Sequence, residues 1–138
     1  MSKFYEVILR YDKMQKNGKV KRVSERYLCD ALSLTEAEAT VTEKMQPYIS
    51  GEFVAISAKE TKIIEVVGDK EADKFYLAKV AFITIDEKSA AEKKAISQIL
   101  VGAENFDEAY KAFNESMQDT MADYTLVSIS ETAYLDVF

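Results

Sequence analysis

The chain has no histidine and no tryptophan, a single cysteine, a single proline and four glycines in 138 residues. Each scarcity excludes something. Without histidine the commonest general base near neutral pH and the commonest metal ligand are both missing, which argues against zinc chemistry and against Ser-His or Cys-His nucleophilic catalysis. Lone Cys29 cannot form an internal disulfide and falls in an expected strand, where a thiol behaves as a small apolar group. None of the glycines sits in a phosphate-loop pattern. No apolar run reaches the roughly 18 residues that a membrane-crossing helix needs. Met1, Ser2 and Lys3 lead straight into an alternating segment, with no export signal in view. A reducing cytoplasm, one domain and no cofactor are the expectations.

Apolar residues make up 48 % and charged residues 30 %, an ordinary globular composition. The net charge of −6 is unevenly placed. Residues 1–71 carry 12 Lys/Arg and 12 Asp/Glu, whereas residues 72–138 carry 6 and 12, so the whole deficit lies in the second half.

The chain also repeats itself at a shift of 71 to 72 residues. ETKIIEVV at 60–67 matches ETAYLDVF at 131–138, Phe4 and Tyr5 match Phe75 and Tyr76, and 21–31 match 93–103. Ser33 with Glu36 and Asn105 with Glu108 read as helix N-caps with an acidic residue three positions on. The apolar stripes that follow coincide, Leu34, Ala37, Val41 and Met45 against Phe106, Ala109, Phe113 and Met117, which predicts helices over 33–46 and 105–119. Around them the period is two. Tyr5, Val7, Leu9 and Tyr11 share a strand face, as do Tyr76, Ala78, Val80 and Phe82. Polar turns at 12–19 and 86–92 close hairpins, and 53–67 is long enough for one strand that a bend or bulge near Lys59 is expected. The fold class expected is α+β: an internal duplication of a ββαβ unit, residues 3–67 and 74–138, forming one pseudo-twofold domain. Its antiparallel sheet would carry two helices on one face around a shared core.

Several segments carry a family resemblance. TMADY at 120–124, FITIDEK at 82–88, and DALS at 30–33 followed by TEAEA at 35–39 resemble the family called domain of unknown function 4494 over essentially the whole chain. The resemblance implies a setting in Bacteroides-type bacteria, their phages and mobile elements. It implies no catalytic or binding residue.

The residues themselves offer one asymmetry that the repeat does not require. All three arginines, Arg10, Arg22 and Arg26, fall in the first hairpin, where residues 10–27 hold seven Lys/Arg against Asp12 and Glu25. Strand alternation places the arginines on the face away from the helix, with Lys21 as a neighbour, and the second copy has Ala81, Lys94 and Gln98 in their place. Guanidinium groups on an open sheet face suit phosphates of a single-stranded nucleic acid. A solvated hairpin whose charges protect a strand edge is the plainer explanation. Phe4, Ile8, Phe75 and Leu77 fall on the same side and would leave an apolar patch, so a homo-oligomer contact is expected there. The aromatic end at 134–138 could serve as a docking tip, though a strand explains it more simply. Carboxylates concentrate on helix surfaces, where solvation accounts for them. The reading is a non-enzymatic binding protein of a phage or mobile element, acting on single-stranded nucleic acid through Arg10, Lys21, Arg22 and Arg26. The alternative is a self-associating module that docks a host or replication protein.

Overall fold

A computed structural model describes residues 3–138; what was read from Met1 and Ser2 lies outside the described residues. The fold is mixed α+β, with eight strands and two helices: β1 Lys3–Met14, β2 Val20–Ala31, α1 Leu34–Met45, β3 Phe53–Glu60, β4 Ile63–Gly68, β5 Lys74–Ile85, β6 Glu92–Ala103, α2 Phe106–Ser116, β7 Asp123–Glu131 and β8 Tyr134–Val137. A 3-10 turn, Gln46–Tyr48, follows α1 at Pro47. Both helices start as the caps require. Ser33 Oγ accepts the Glu36 N–H at 3.1 Å and Asn105 Oδ1 accepts the Glu108 N–H at 2.9 Å. Ala37, Val41, Ala109 and Phe113 are buried to the last per cent, but Leu34 and Phe106, expected on the same stripes, are 43 % and 49 % exposed. They occupy the first helical position, where the Cα–Cβ bond points back past the helix end.

The strands do not form the single antiparallel sheet with two helices on one face that the sequence suggests. They form two four-stranded sheets, ordered β3-β1-β2-β8 and β4-β6-β5-β7, in two compact units. The first unit holds the residues up to Thr61 with Ala133–Phe138, and the second holds Lys62–Thr132. Each has one helix against its sheet and its own apolar core. In each sheet the outermost strand is parallel to its neighbour, β8 to β2 and β4 to β6, while the other pairs are antiparallel.

The two sheets match in detail. Tyr5 faces Cys29 as Tyr76 faces Val101, and one residue bulges out of each third strand, Ile56 in β3 and Val127 in β7. The Thr61 N–H and hydroxyl both donate to the Phe4 carbonyl, at 3.0 and 2.8 Å, and Thr132 does the same to Phe75 at 2.9 and 2.8 Å. At these threonines the long strand breaks, two residues beyond the expected bend, and its second half joins the other sheet. Connectivity explains the exchange. To reach the free edge of β2, β4 would have to cross about 14 Å of sheet. Being parallel to β3, it would also have to return about 26 Å along the strand. The link between β3 and β4 is Thr61 and Lys62, which reaches only about 10 Å fully extended. The chain therefore continues into the second sheet, and β8 fills the vacant edge of the first. Val67 packs against the second core and Phe138 against the first.

Candidate functional site

In the first hairpin, Arg10 lies opposite Ser24, Asp12 opposite Arg22, and Ile8 opposite Arg26, which puts the three arginines on one face, away from the core. All three are exposed. Their partners differ. Arg22 Nε is 3.4 Å from Asp12 Oδ1, both side chains mostly in solvent, a pairing of little energetic weight. Arg10 and Arg22 line a concavity of about 310 Å³ together with Glu52 and Val54.

Arg26 is committed elsewhere. Its Nη1 donates to Glu6 Oε1 at 3.1 Å, and Glu6 is 6 % exposed. The Tyr134 hydroxyl, arriving on β8, donates to Glu6 Oε2 at 3.0 Å. Burial, then the Glu6 charge, raises the Tyr134 phenol above its ordinary range. The corresponding positions of the second unit carry Leu77, Gln98 and Ile63, an uncharged counterpart. Arg26 thus neutralises a buried carboxylate while half of its own side chain stays in solvent.

Lys21 lies opposite Lys13, on the helix-facing side rather than beside the arginines. Pairing with β3 stops at Tyr11, and pairing with β8 begins at Arg26. Beyond these points the hairpin runs on as a two-stranded ribbon. Its exposed tip carries Lys13, Lys16, Lys19, Lys21 and Arg22. The turn closes through Gly18, whose φ of +82° is the left-handed conformation that glycine adopts freely. The equivalent tip of the second hairpin, at 84–94, has Asp86, Glu87 and Glu92 against Lys88, Lys93 and Lys94, and no excess of either sign.

The expected oligomer patch is partly withdrawn from solvent. Phe75 is completely buried, and Phe4, Ile8 and Leu77 are half-buried. Phe75 faces Gly102 across the pair, and the chain at Asp69 passes so close to Gly102 that a Cβ there would meet the Asp69 carbonyl oxygen at 1.8 Å. Of the residues expected in a subunit contact, Phe75 is packed inside the fold, while Phe4, Ile8 and Leu77 keep part of their surface in solvent.

One cluster was not singled out in the sequence. On the helix-facing side, Glu25 Oε1 accepts hydrogen bonds from the Tyr11 hydroxyl at 2.6 Å and the Tyr27 hydroxyl at 3.1 Å. The cluster lines a groove of about 470 Å³ between the hairpin, the end of α1 and β8. Burial, reinforced by Glu25, pushes the Tyr11 phenol up to about 12 and the Tyr27 phenol higher still. Both hydroxyls therefore remain donors. Its only sequence signal is that the second copy has Phe82, Ser97 and Ile99 where the first has Tyr11, Glu25 and Tyr27.

Among the described residues, no group of three or more His, Cys, Asp or Glu side chains is placed to hold a metal. Among them too, no helix is long and apolar enough to cross a membrane. Cys29 is buried, and burial raises its thiol above the usual range, which suits packing rather than reactivity. Compared with known families, residues 3–138 match the model described as domain of unknown function (DUF4494). No curated protein matches the chain.

Proposed function

The chain belongs to the DUF4494 family, and from its geometry we propose that it is a non-enzymatic binding protein that holds single-stranded nucleic acid on the basic ribbon of the first hairpin. The observation that carries this reading is the contrast between the two hairpins. They share strand length and an unbroken register, yet only the first projects a tip bearing Lys13, Lys16, Lys19, Lys21 and Arg22. A fold that builds the same ribbon without excess charge does not need that charge for folding. Mobile cations on a narrow ribbon suit the spaced phosphates of a flexible strand. Arg10 and Arg22 extend the surface along the outer face.

We read the two units as an internal duplication, residues 3–67 and 74–138, whose final strands are exchanged, so that one copy kept its apolar lining and the other became polar. The competing reading, a self-associating module that docks a host or replication protein, rests on the patch of Phe4, Ile8, Phe75 and Leu77, of which Phe75 is buried. No specific observation favours it.

Fluorescence anisotropy of a labelled single-stranded oligonucleotide, titrated with protein at several salt concentrations, tests the proposal. Binding that weakens steeply with salt and is lost when the ribbon lysines are replaced by alanine supports it. No binding even at low salt overturns it.

A further inference from the structure

The groove on the helix-facing side of the first hairpin has the composition of a recognition pocket. Tyr11 and Tyr27 form its floor, and Phe138 stacks on Tyr27 with ring centroids 5.7 Å apart and planes at 18°. At the rim Tyr48 is 80 % exposed, with Lys13 and Lys44 among the lining residues. Glu25, its side chain 15 % exposed, is an anion on the floor, and Asp136, paired with Tyr27 across the sheet, adds a second carboxylate to the lining. Its Oε1 is saturated by the two tyrosine hydroxyls, whereas Oε2 has Lys13 Nζ at 3.9 Å, beyond hydrogen-bond length. An ionised carboxylate oxygen accepts two hydrogen bonds, so Oε2 has capacity that the contacts described do not use.

The second unit shows that folding does not demand this arrangement. The same sheet and helix are built there with Phe82, Ser97, Ile99, Ser116 and Val67 in place of Tyr11, Glu25, Tyr27, Lys44 and Phe138. A mostly buried carboxylate gains nothing for packing over the serine that replaces it, and burying charge carries a cost.

We infer that this groove takes one unstacked base of the bound strand, preferring a base with an exocyclic amino group such as cytosine, a reading that rests on the function proposed above. The chemistry is specific. Aromatic rings offer faces for a planar base. Glu25 Oε2 accepts from an amino group, the pairing by which a carboxylate reads cytosine N4. The tyrosine hydroxyls are spent on Oε1, so they offer no donor to the carbonyl that thymine presents at the same place. Lys13 and Lys44 neutralise the flanking phosphates, and Lys13 with Lys21 joins the groove to the ribbon.

The test compares oligo(dC), oligo(dT) and an abasic strand of equal length, binding to wild-type protein, Glu25→Gln and Tyr48→Ala. Wild type should bind oligo(dC) about tenfold more tightly than oligo(dT), the size of one good base contact. The abasic strand should be weakest. Glu25→Gln should abolish the difference between dC and dT while leaving the salt dependence intact. Tyr48→Ala, a change at an exposed rim that leaves the core untouched, should weaken both strands several-fold. Equal binding of all three strands by wild type overturns the pocket and leaves the ribbon reading standing. So does a dC preference that survives Glu25→Gln. Absence of any binding at low salt overturns both.

Discussion

Arg26 Nη1 lies 3.1 Å from Glu6 Oε1, and through Tyr134 on the carboxylate's other oxygen this pair fastens β8 to the first sheet. The sheet edge that β8 covers would otherwise be open.

Arg26→Ala leaves the buried Glu6 with Tyr134 as its hydrogen-bonding partner from β8, and should cost about 1–3 kcal/mol, the penalty for stripping a hydrogen bond from a charged buried group. Installing the residues of the second unit together, Glu6→Leu, Arg26→Gln and Tyr134→Ile, should restore most of that loss, because an apolar replacement of a buried ion pair is often neutral. Urea unfolding of the single and triple variants decides it. A triple variant less stable than Arg26→Ala would show that the pair is worth more than its apolar counterpart.

Phosphate binding should separate from this structural role. Replacing Lys16, Lys19, Lys21 and Arg22 by alanine should reduce the slope of log affinity against log salt by about 0.7 per residue that contacts phosphate. Arg26→Ala should leave the slope unchanged while lowering the melting temperature. Equal effects of the two variants on the slope would return Arg26 to the binding surface.

In the second unit, Gly102→Ala should destabilise by about 3 kcal/mol, since a Cβ placed 1.8 Å from a backbone carbonyl forces the Asp69 segment away from Gly102. Gly51→Ala is the control: its φ is +85° with open space around it, so only about 1 kcal/mol of backbone strain is at stake. Thermal unfolding of the two variants should rank them in that order.

Alkali should weaken the first unit. Tyr11 is pushed up to about 12, and Tyr27 and Tyr134 higher, chiefly by burial and secondarily by Glu25 or Glu6. A phenol whose folded pKa exceeds its unfolded value contributes its full stability below pH about 10. Above that the unfolded chain releases protons that the folded chain retains, so stability falls as the pH climbs through about 12. Tyrosinate absorbance should show at least three of the eight tyrosines resisting ionisation until the circular dichroism changes. Full ionisation at the ordinary tyrosine pKa with the fold intact would contradict it.

Much of this was legible in the chain. Alternation at Tyr5, Val7, Leu9 and Tyr11 and the capping pairs Ser33–Glu36 and Asn105–Glu108 placed strands and helices within a few residues of where they lie. These are local signals, carried by periodicity and by backbone donors that must be satisfied within a turn. The exposed Arg10 and Arg22 were legible for the same reason, since strand alternation assigns a face. Arg26 was not, because its commitment to Glu6 depends on Tyr134, which lies 128 residues from Glu6 in the chain. Nor was the Tyr11–Glu25–Tyr27 cluster. Glu25 falls on the core-facing side of β2, where alternation predicts an apolar residue, and its tyrosine partners read simply as packing.

The sequence by itself determined the elements, their caps and turns, the repeat, and the concentration of positive charge in one hairpin. The elements, caps and turns follow from interactions between residues close in the chain. Only the tertiary structure decided which sheet each final strand completes, which arginine neutralises a buried carboxylate and which tyrosines meet a carboxylate. The physical reason is the two-residue link at Thr61 and Lys62, too short to return a parallel strand across its own sheet. That geometric limit brings Tyr134 to Glu6 and Phe138 to Tyr27.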